Sequence, residues 1–381
     1  MSIIRLMICA LFMSAVLAAC GAQPPRQNVS GAASSGVSPS SNLAAVMASI
    51  DDAGDKAAQG DLSAARALPY NIAVLTRAIN GQEVDAEGIL LLRYYRAVAS
   101  QLLSYLNQAL GLPADRQLAA AALADYEIVL KAAGDDGRGD LRRNAMLGAA
   151  QVLLGHLDDE ARAYSYFRQC AELKHGACMS VIAEAKTRGA GGFSVDLNEA
   201  VALHAEVYRT GSDFGCAGSY SAHAVARIVH FRNVRPDEDD QFAWIRKAYR
   251  LSDQVKVRSK GQDLCSGAFI QINEFMMRLE NGERRAALLY QVRDESEWTG
   301  EAERLLIGYL LGEVQDQQFR SQVVAIKNPD IRCEYAFLGL WKSAIARQTS
   351  MARSYRELMQ GTQRAGACGE NLLFARKFLP A

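Results

Sequence analysis

The sequence predicts an all-α fold, an α-solenoid of stacked helix–turn–helix units behind a short N-terminal tether. Three observations carry this. Apolar residues recur at helical spacing almost everywhere from residue 43 onward. Prolines number only eight in 381 residues, while long Ala-, Leu-, Arg- and Glu-rich stretches favour helix over strand. Polar turns interrupt the pattern at intervals of about 20 residues, the period of stacked helical hairpins.

The chain opens MSIIRLMICALFMSAVLAACGAQ. Arg5 precedes an apolar run from Leu6 to Ala19, too short to span a bilayer and shaped like the apolar region of a signal peptide. The run ends Leu17-Ala18-Ala19-Cys20, which resembles the lipobox of bacterial lipoproteins. That resemblance implies cleavage after Ala19 and acylation, palmitate included, of Cys20 as the new first residue. Gly21 stands where an Asp would retain a lipoprotein in the inner membrane, so the implied location is the outer membrane, facing the periplasm. An ordinary secretory signal or an uncleaved anchor is the alternative. Residues 20–42 are rich in Ser, Gly, Ala and Pro and carry one charge, the composition of a flexible linker. Its root-mean-square reach is roughly 25 Å.

Past the linker the chain is long enough for a large core, and half of all residues are apolar. Lys plus Arg and Asp plus Glu both total 42, with no long single-sign block, which argues against a nucleic-acid partner. Six of the eight cysteines lie beyond Cys20: Cys170, Cys178, Cys216, Cys265, Cys333 and Cys368. An even number in an oxidising envelope reads as up to three disulfides.

The helical elements follow in order. Arg93-Tyr94-Tyr95-Arg96 reads equally as a groove anchor, Tyr and Arg being enriched at binding hot spots, and as a half-buried helix face. ADRQLAAAALADYEIVLKAAGDDGRGD is an amphipathic helix ended by Gly134 and a polar turn. In DLRRNAMLGAAQVLLG, Leu141, Ala145, Gly148 and Val152 share one face, with Asp140 as cap. His156 follows Gly155 in the next turn, where a solvated loop residue is expected. DDEARAYSYFRQCAEL begins a third helix.

Small residues at Ala145, Gly148 and Ala161, with aromatics at Tyr164 and Phe167, resemble the small-and-large alternation of tetratricopeptide repeats. From 170 the segment CAELKHGACMSVIAEAKTRGAGGFSVDLNEAVALHAEVYRTGSDFGC resembles the Sel-one-like repeats, a tetratricopeptide relative. The matching features are Ala171, the His175-Gly176 turn, Cys178, the loop 189–192, Asp196 as a cap, and Ala200 with Leu203 inward. Val234, Asp240 and Ala243 continue the order in the next unit. The resemblance implies a disulfide between Cys170 and Cys178, whose spacing matches the family's paired cysteines. Tyr208 stands where the next repeat's first cysteine would be, and Cys265 lies beyond an inserted DQVKVRSKGQD. The pairing of Cys216, Cys265, Cys333 and Cys368 therefore stays open.

Residues eight apart on one helix lie about 12 Å from each other, whereas a disulfide needs α-carbons about 4.4–6.8 Å apart. The chain must turn between Cys170 and Cys178, and Lys174-His175-Gly176 is the expected place, Gly supplying a positive φ. The rival reading is a metal site of Cys170, His175 and Cys178, which lacks an evident fourth ligand. A structural staple is the expectation. No Cys-X-X-Cys redox pair is present.

Residues 281–381 keep the helical pattern without the repeat signature; EYAFLGLWKSAIARQ and SYRELMQGTQRAG read as amphipathic helices. The expected organisation is a signal peptide over 1–19, the linker over 20–42, a repeat domain over 43–280 and a helical region over 281–381 continuing the array. No His-Glu-X-X-His, Gly-X-Ser-X-Gly, Ser-X-X-Lys, Lys-Thr-Gly or phosphate-cradling motif occurs, so neither catalytic residues nor cofactors are expected. His204, His223 and His230 are read as packed or groove-lining, with a shared metal or proton site as the alternative. Asp237-Glu238-Asp239-Asp240 suits a helix N-terminus, with calcium binding as the alternative. The expected function is a membrane-anchored scaffold that binds a peptide or an envelope protein, its groove including Tyr94, Tyr95, Arg96, His204, Tyr208 and His223. A structural part of a secretion or assembly machine is the alternative, and an enzyme acting on peptidoglycan or a β-lactam a further one.

Overall fold

The computed structural model describes residues 41–58, 61–82, 84–110, 112–113, 115–132, 139–210, 216–258, 265, 267–295, 301–326, 329–362 and 368–379. The expected signal peptide, Cys20, nearly all of the expected linker and Gly134 lie outside the described residues. Among the described residues the regular structure is helical throughout, as expected for an all-α chain. Two compact units divide between Ile182 and Ala183, inside one helix.

The N-terminal unit comprises α1 (Ser41–Ala58), a 3₁₀ turn (Leu62–Arg66), α2 (Leu68–Gly81), α3 (Ala86–Ala109), α4 (Arg116–Ala132) and α5 (Gly139–Val152). A π turn (Leu153–Leu157) then leads to α6 (Glu160–Glu172) and the first half of α7 (Gly176–Arg188). Consecutive helices pack as neighbours: α3 on α4, α4 on α5, α5 on α6. Their starts are set by side-chain caps, Asp85 accepting from the Gly88 amide and Asp159 from the Arg162 amide. Gly148 is what lets α5 approach α4, since a Cβ there would stand 2.4 Å from Tyr126 Cζ.

Several local expectations change. Asp140 sits inside the first turn of α5 and is not its cap, because the helix already begins at Gly139; its carboxylate accepts from Arg143. Ala161 is exposed, and Ala163 is the small residue α6 buries. His156 is buried, not solvated, because the π turn carries the chain on past Val152 and swings the ring inward. Its Nδ1 lies 3.2 Å from both Ser104 Oγ and Gln108 Nε2.

The C-terminal unit continues α7 and adds α8 (Leu197–Thr210), α9 (Cys216–Arg232), α10 (Gln241–Arg258), α11 (Gly267–Glu280) and α12 (Ala286–Glu295). It ends with α13 (Glu301–Leu311), α14 (Asp316–Ala325), α15 (Pro329–Ile345), α16 (Thr349–Thr362) and α17 (Gly369–Ala375). Asp196 and Asp240 cap α8 and α10 as the sequence implied, accepting from the Glu199 and Ala243 amides. Residues on both sides of 280 share one core, in which Trp244, Phe275, Phe337, Trp341 and Phe374 are fully buried. α9 packs on α8 and α10 and is buried along nearly its whole length. Its small residues (Ala217, Gly218, Ser219, Ala222, Ala226) admit neighbours on every side, so it lacks the polar face of a surface helix.

Three disulfides staple the described chain. Cys170 at the end of α6 joins Cys178 in α7 across 5.8 Å between α-carbons. The turn between them is closed by two bonds, the His175 amide to the Cys170 carbonyl and the Lys174 amide to the Ala171 carbonyl. The residue with positive φ is Lys174 (62°), not Gly176, because the left-handed position falls two residues before α7 starts. Cys216 pairs with Cys265, and Cys333 with Cys368. Each of these two bonds spans one intervening helix, α10 and α16 respectively. Short turns make neighbouring helices antiparallel. Alternate helices then begin at the same end, where cysteines near their starts can meet.

Candidate functional site

A cluster of buried charged and titratable groups centres on α9. Tyr220, His223, Arg227 and His230 recur at i, i+3, i+7 and i+10, a polar stripe on the most buried helix of the unit. Glu184 and Arg188 from α7, Glu334 from α15, and Glu370 and Asn371 from α17 complete a charged cluster. Arg227 donates to Glu334 Oε1 at 3.3 Å and to Asn371 Oδ1, and its Nε lies 4.0 Å from Glu370 Oε1. Its guanidinium also faces the rings of Phe337 (5.5 Å) and Phe374 (5.1 Å). Arg188 pairs with Glu184 at 3.4 Å.

Three carboxylates thus face two guanidinium groups away from water. Burial raises the Glu370 carboxyl above its usual range; Arg227 opposes this, while Glu184 and Glu334 add to it. Burial, then Glu184 and Glu370, push the Tyr220 phenol up. Burial, with Arg227 adding to it, lowers His223 to about 3, so its ring is neutral at physiological pH. Asn371 also donates to Cys333 Sγ at 3.6 Å, which ties the cluster to the Cys333–Cys368 staple. The arrangement clamps four helices together.

One turn further along α9, His230 Nε2 and Trp341 Nε1 both reach Glu280 Oε2 at 2.8 Å, while Lys377 Nζ meets Oε1 at 2.7 Å. Burial alone would raise the Glu280 carboxyl, but the His230 and Lys377 hydrogen bonds outweigh it and hold the group at about 2. Burial lowers His230 despite that partner, so we read its ring as a neutral donor to a carboxylate. His204 Nδ1 lies 3.2 Å from Ser221 Oγ, and burial takes it to about 3. His204 and His230 therefore serve separate partners, and the His223 ring meets that of Phe269 edge-on at 6.1 Å. The one close group of three metal-capable donors among the described residues is Cys170, His175 and Cys178, within 4.8 Å of one another.

The residues expected to line a groove separate by burial. Tyr94, His204 and His223 are buried, so they offer no surface to a partner. Arg93 and Arg96 close on the buried Asp125, Arg96 through two bonds of 2.6 and 2.8 Å. Arg-Tyr-Tyr-Arg is thus largely a helix-packing face. Tyr95 and Tyr208 remain partly exposed. Tyr208 packs edge-on against Trp244 at 5.4 Å and accepts from Arg250 at 2.9 Å. Lys247 lies 3.8 Å above the Trp244 ring and pairs with Asp239 at 2.5 Å. The acidic run is spent locally: Asp237 accepts from Trp244, Asp239 from Lys247, and Asp240 caps α10.

Sequence reading missed a further cluster. The Tyr309 and Tyr355 hydroxyls donate to Asp316 Oδ1 at 2.8 and 3.0 Å, and Lys342 donates to the Tyr309 carbonyl. Burial lowers the Lys342 amine to about 8, with Asp316 opposing it. The tyrosines are 46 residues apart in sequence, so no local motif announces the group. No family model matches the chain, and comparison with curated proteins and with solved structures finds no match.

Proposed function

We propose that this chain is an outer-membrane lipoprotein whose α-solenoid of tetratricopeptide-like and Sel-one-like hairpins is a periplasmic scaffold for a peptide or an envelope protein. The observation that carries the reading is the pairing of all six cysteines beyond Cys20 as three disulfides in an all-helical chain. Stapled helices suit an oxidising compartment, and stacked hairpins suit recognition through side chains on an extended surface. Lipid at Cys20 would hold the scaffold beside membrane-bound partners and raise its effective concentration there. The half-buried Tyr208 with the exposed Arg250 beside it is the best placed of the expected groove residues to anchor a partner.

In-cell crosslinking of the natively lipidated protein, with photoreactive residues at 208 and 250, tests this. The expected result is one dominant envelope partner, weakened at least about tenfold by Tyr208→Ala with Arg250→Ala. Capture no greater than that of an equally abundant lipoprotein control overturns the scaffold reading. Stoichiometric, salt-resistant copurification would identify the chain as a structural part of an assembly machine. Labelling with a clickable palmitate analogue, lost in Cys20→Ser, tests the anchor.

A further inference from the structure

We propose that the Cys170–Cys178 staple is a redox-gated site for a soft monovalent cation: once reduced, the two sulfurs and the His175 imidazole bind Cu(I). The inference rests on the packing of the α6–α7 turn. All three residues are buried, and one donor atom from each lies within 4.8 Å of the other two. His175 is held there by backbone, its amide bonded to the Cys170 carbonyl and its carbonyl accepting from the Met179 amide. These backbone bonds hold the main chain at His175 beside Cys170 and Cys178 independently of the bond between the sulfurs.

A Cα–Cα distance of 5.8 Å suits a disulfide and also two thiolates on one metal, since side-chain rotation alone can part the sulfurs. Two thiolates and one imidazole make a three-coordinate soft set. Cu(I) is favoured by such thiolate donors, and three ligands suffice for it, whereas structural zinc takes four. The balance is simple. A dithiol reductant supplies two electrons and two protons, the S–S bond breaks, and two thiols form while the reductant becomes a disulfide. Cu(I) then displaces the two thiol protons to solvent. While oxidised, the pair offers no thiolate and the site is shut.

The test uses the full folded chain, reduced with a phosphine and titrated with Cu(I) against a chromophoric Cu(I) chelator, with ¹⁵N-labelled histidine rings followed by NMR. The wild type should take up one more equivalent than Cys170→Ser/Cys178→Ser. The ring resonance missing from His175→Asn should move with that equivalent, and His175→Asn should weaken uptake at this site about tenfold or more. Equal stoichiometry in wild type and double variant overturns the proposal, and so does a His175 resonance unmoved at saturation. Should the double variant fail to fold, the His175 resonance in the wild type still decides. Loss of helicity on reduction, by circular dichroism, also overturns it.

Discussion

At the scale of single residues, the most informative groups are those that burial would neutralise and that neighbours keep charged. Glu280 stays ionised because His230, Trp341 and Lys377 all donate to it. Its folded pKa lies below its unfolded value, so its stabilisation is complete above pH about 4.5 and is lost as pH falls toward 2. Glu280→Gln should cost about 1–3 kcal/mol at pH 7 and remove this part of the acid sensitivity; urea unfolding at pH 7 and pH 3.5, read by Trp fluorescence, checks it. Arg227 is the opposite case, a buried cation whose loss would strand Glu334 and Glu370. Arg227→Met should cost about 3–5 kcal/mol, and adding Glu370→Gln should restore part of that; the pair is compared by urea midpoints. Stability no lower in Arg227→Met than in the wild type would remove the clamp role assigned to this cluster.

At the scale of elements, helix ends and helix–helix gaps carry the specificity. Lys174 occupies a left-handed position at the end of α6 where a side chain costs energy and glycine does not. Lys174→Gly should leave the fold intact and change stability by between about 0 and +1 kcal/mol, the relief of strain being partly offset by a floppier unfolded chain. The gap between α4 and α5 is set by Gly148 against Tyr126, and that between α15 and α16 by Gly339 against Tyr355. A methyl group would fall 2.4 Å from Tyr126 Cζ or 2.6 Å from Tyr355. Gly148→Ala and Gly339→Ala should each destabilise by about 1–3 kcal/mol, read as lower thermal midpoints. The helical periods were legible because one face of each amphipathic helix meets the core. The π turn at 153–157 was not, since it depends on His156 finding Ser104 and Gln108, some 50 residues away.

At the scale of the whole molecule, covalent links close chain loops of very different length. The loops closed by the three disulfides differ in length, 8 residues for Cys170–Cys178, 35 for Cys333–Cys368 and 49 for Cys216–Cys265. Chain entropy then ranks their loss at about 2.5, 3.8 and 4.1 kcal/mol. Paired Cys→Ser variants compared by urea unfolding should follow that order, and non-reducing mass analysis should find no free thiol among these six cysteines. Two or more alkylatable cysteines in the native chain would contradict the staples.

The sequence by itself determined the all-helical character of the described chain, a helix start at the acidic run 237–240, and the need for a turn between Cys170 and Cys178. These are local matters, set by period, by short polar side chains at helix starts, and by the reach of a disulfide. Only the tertiary structure decided the partners of the other four cysteines, the burial of His156 and His204, and the charged cluster around Arg227. Those depend on which helix faces meet. Arg227 lies 107 residues from Glu334 and 144 from Asn371, a distance over which no local pattern carries information. Packing brings these groups out of water together, and that shared desolvation selects the partners.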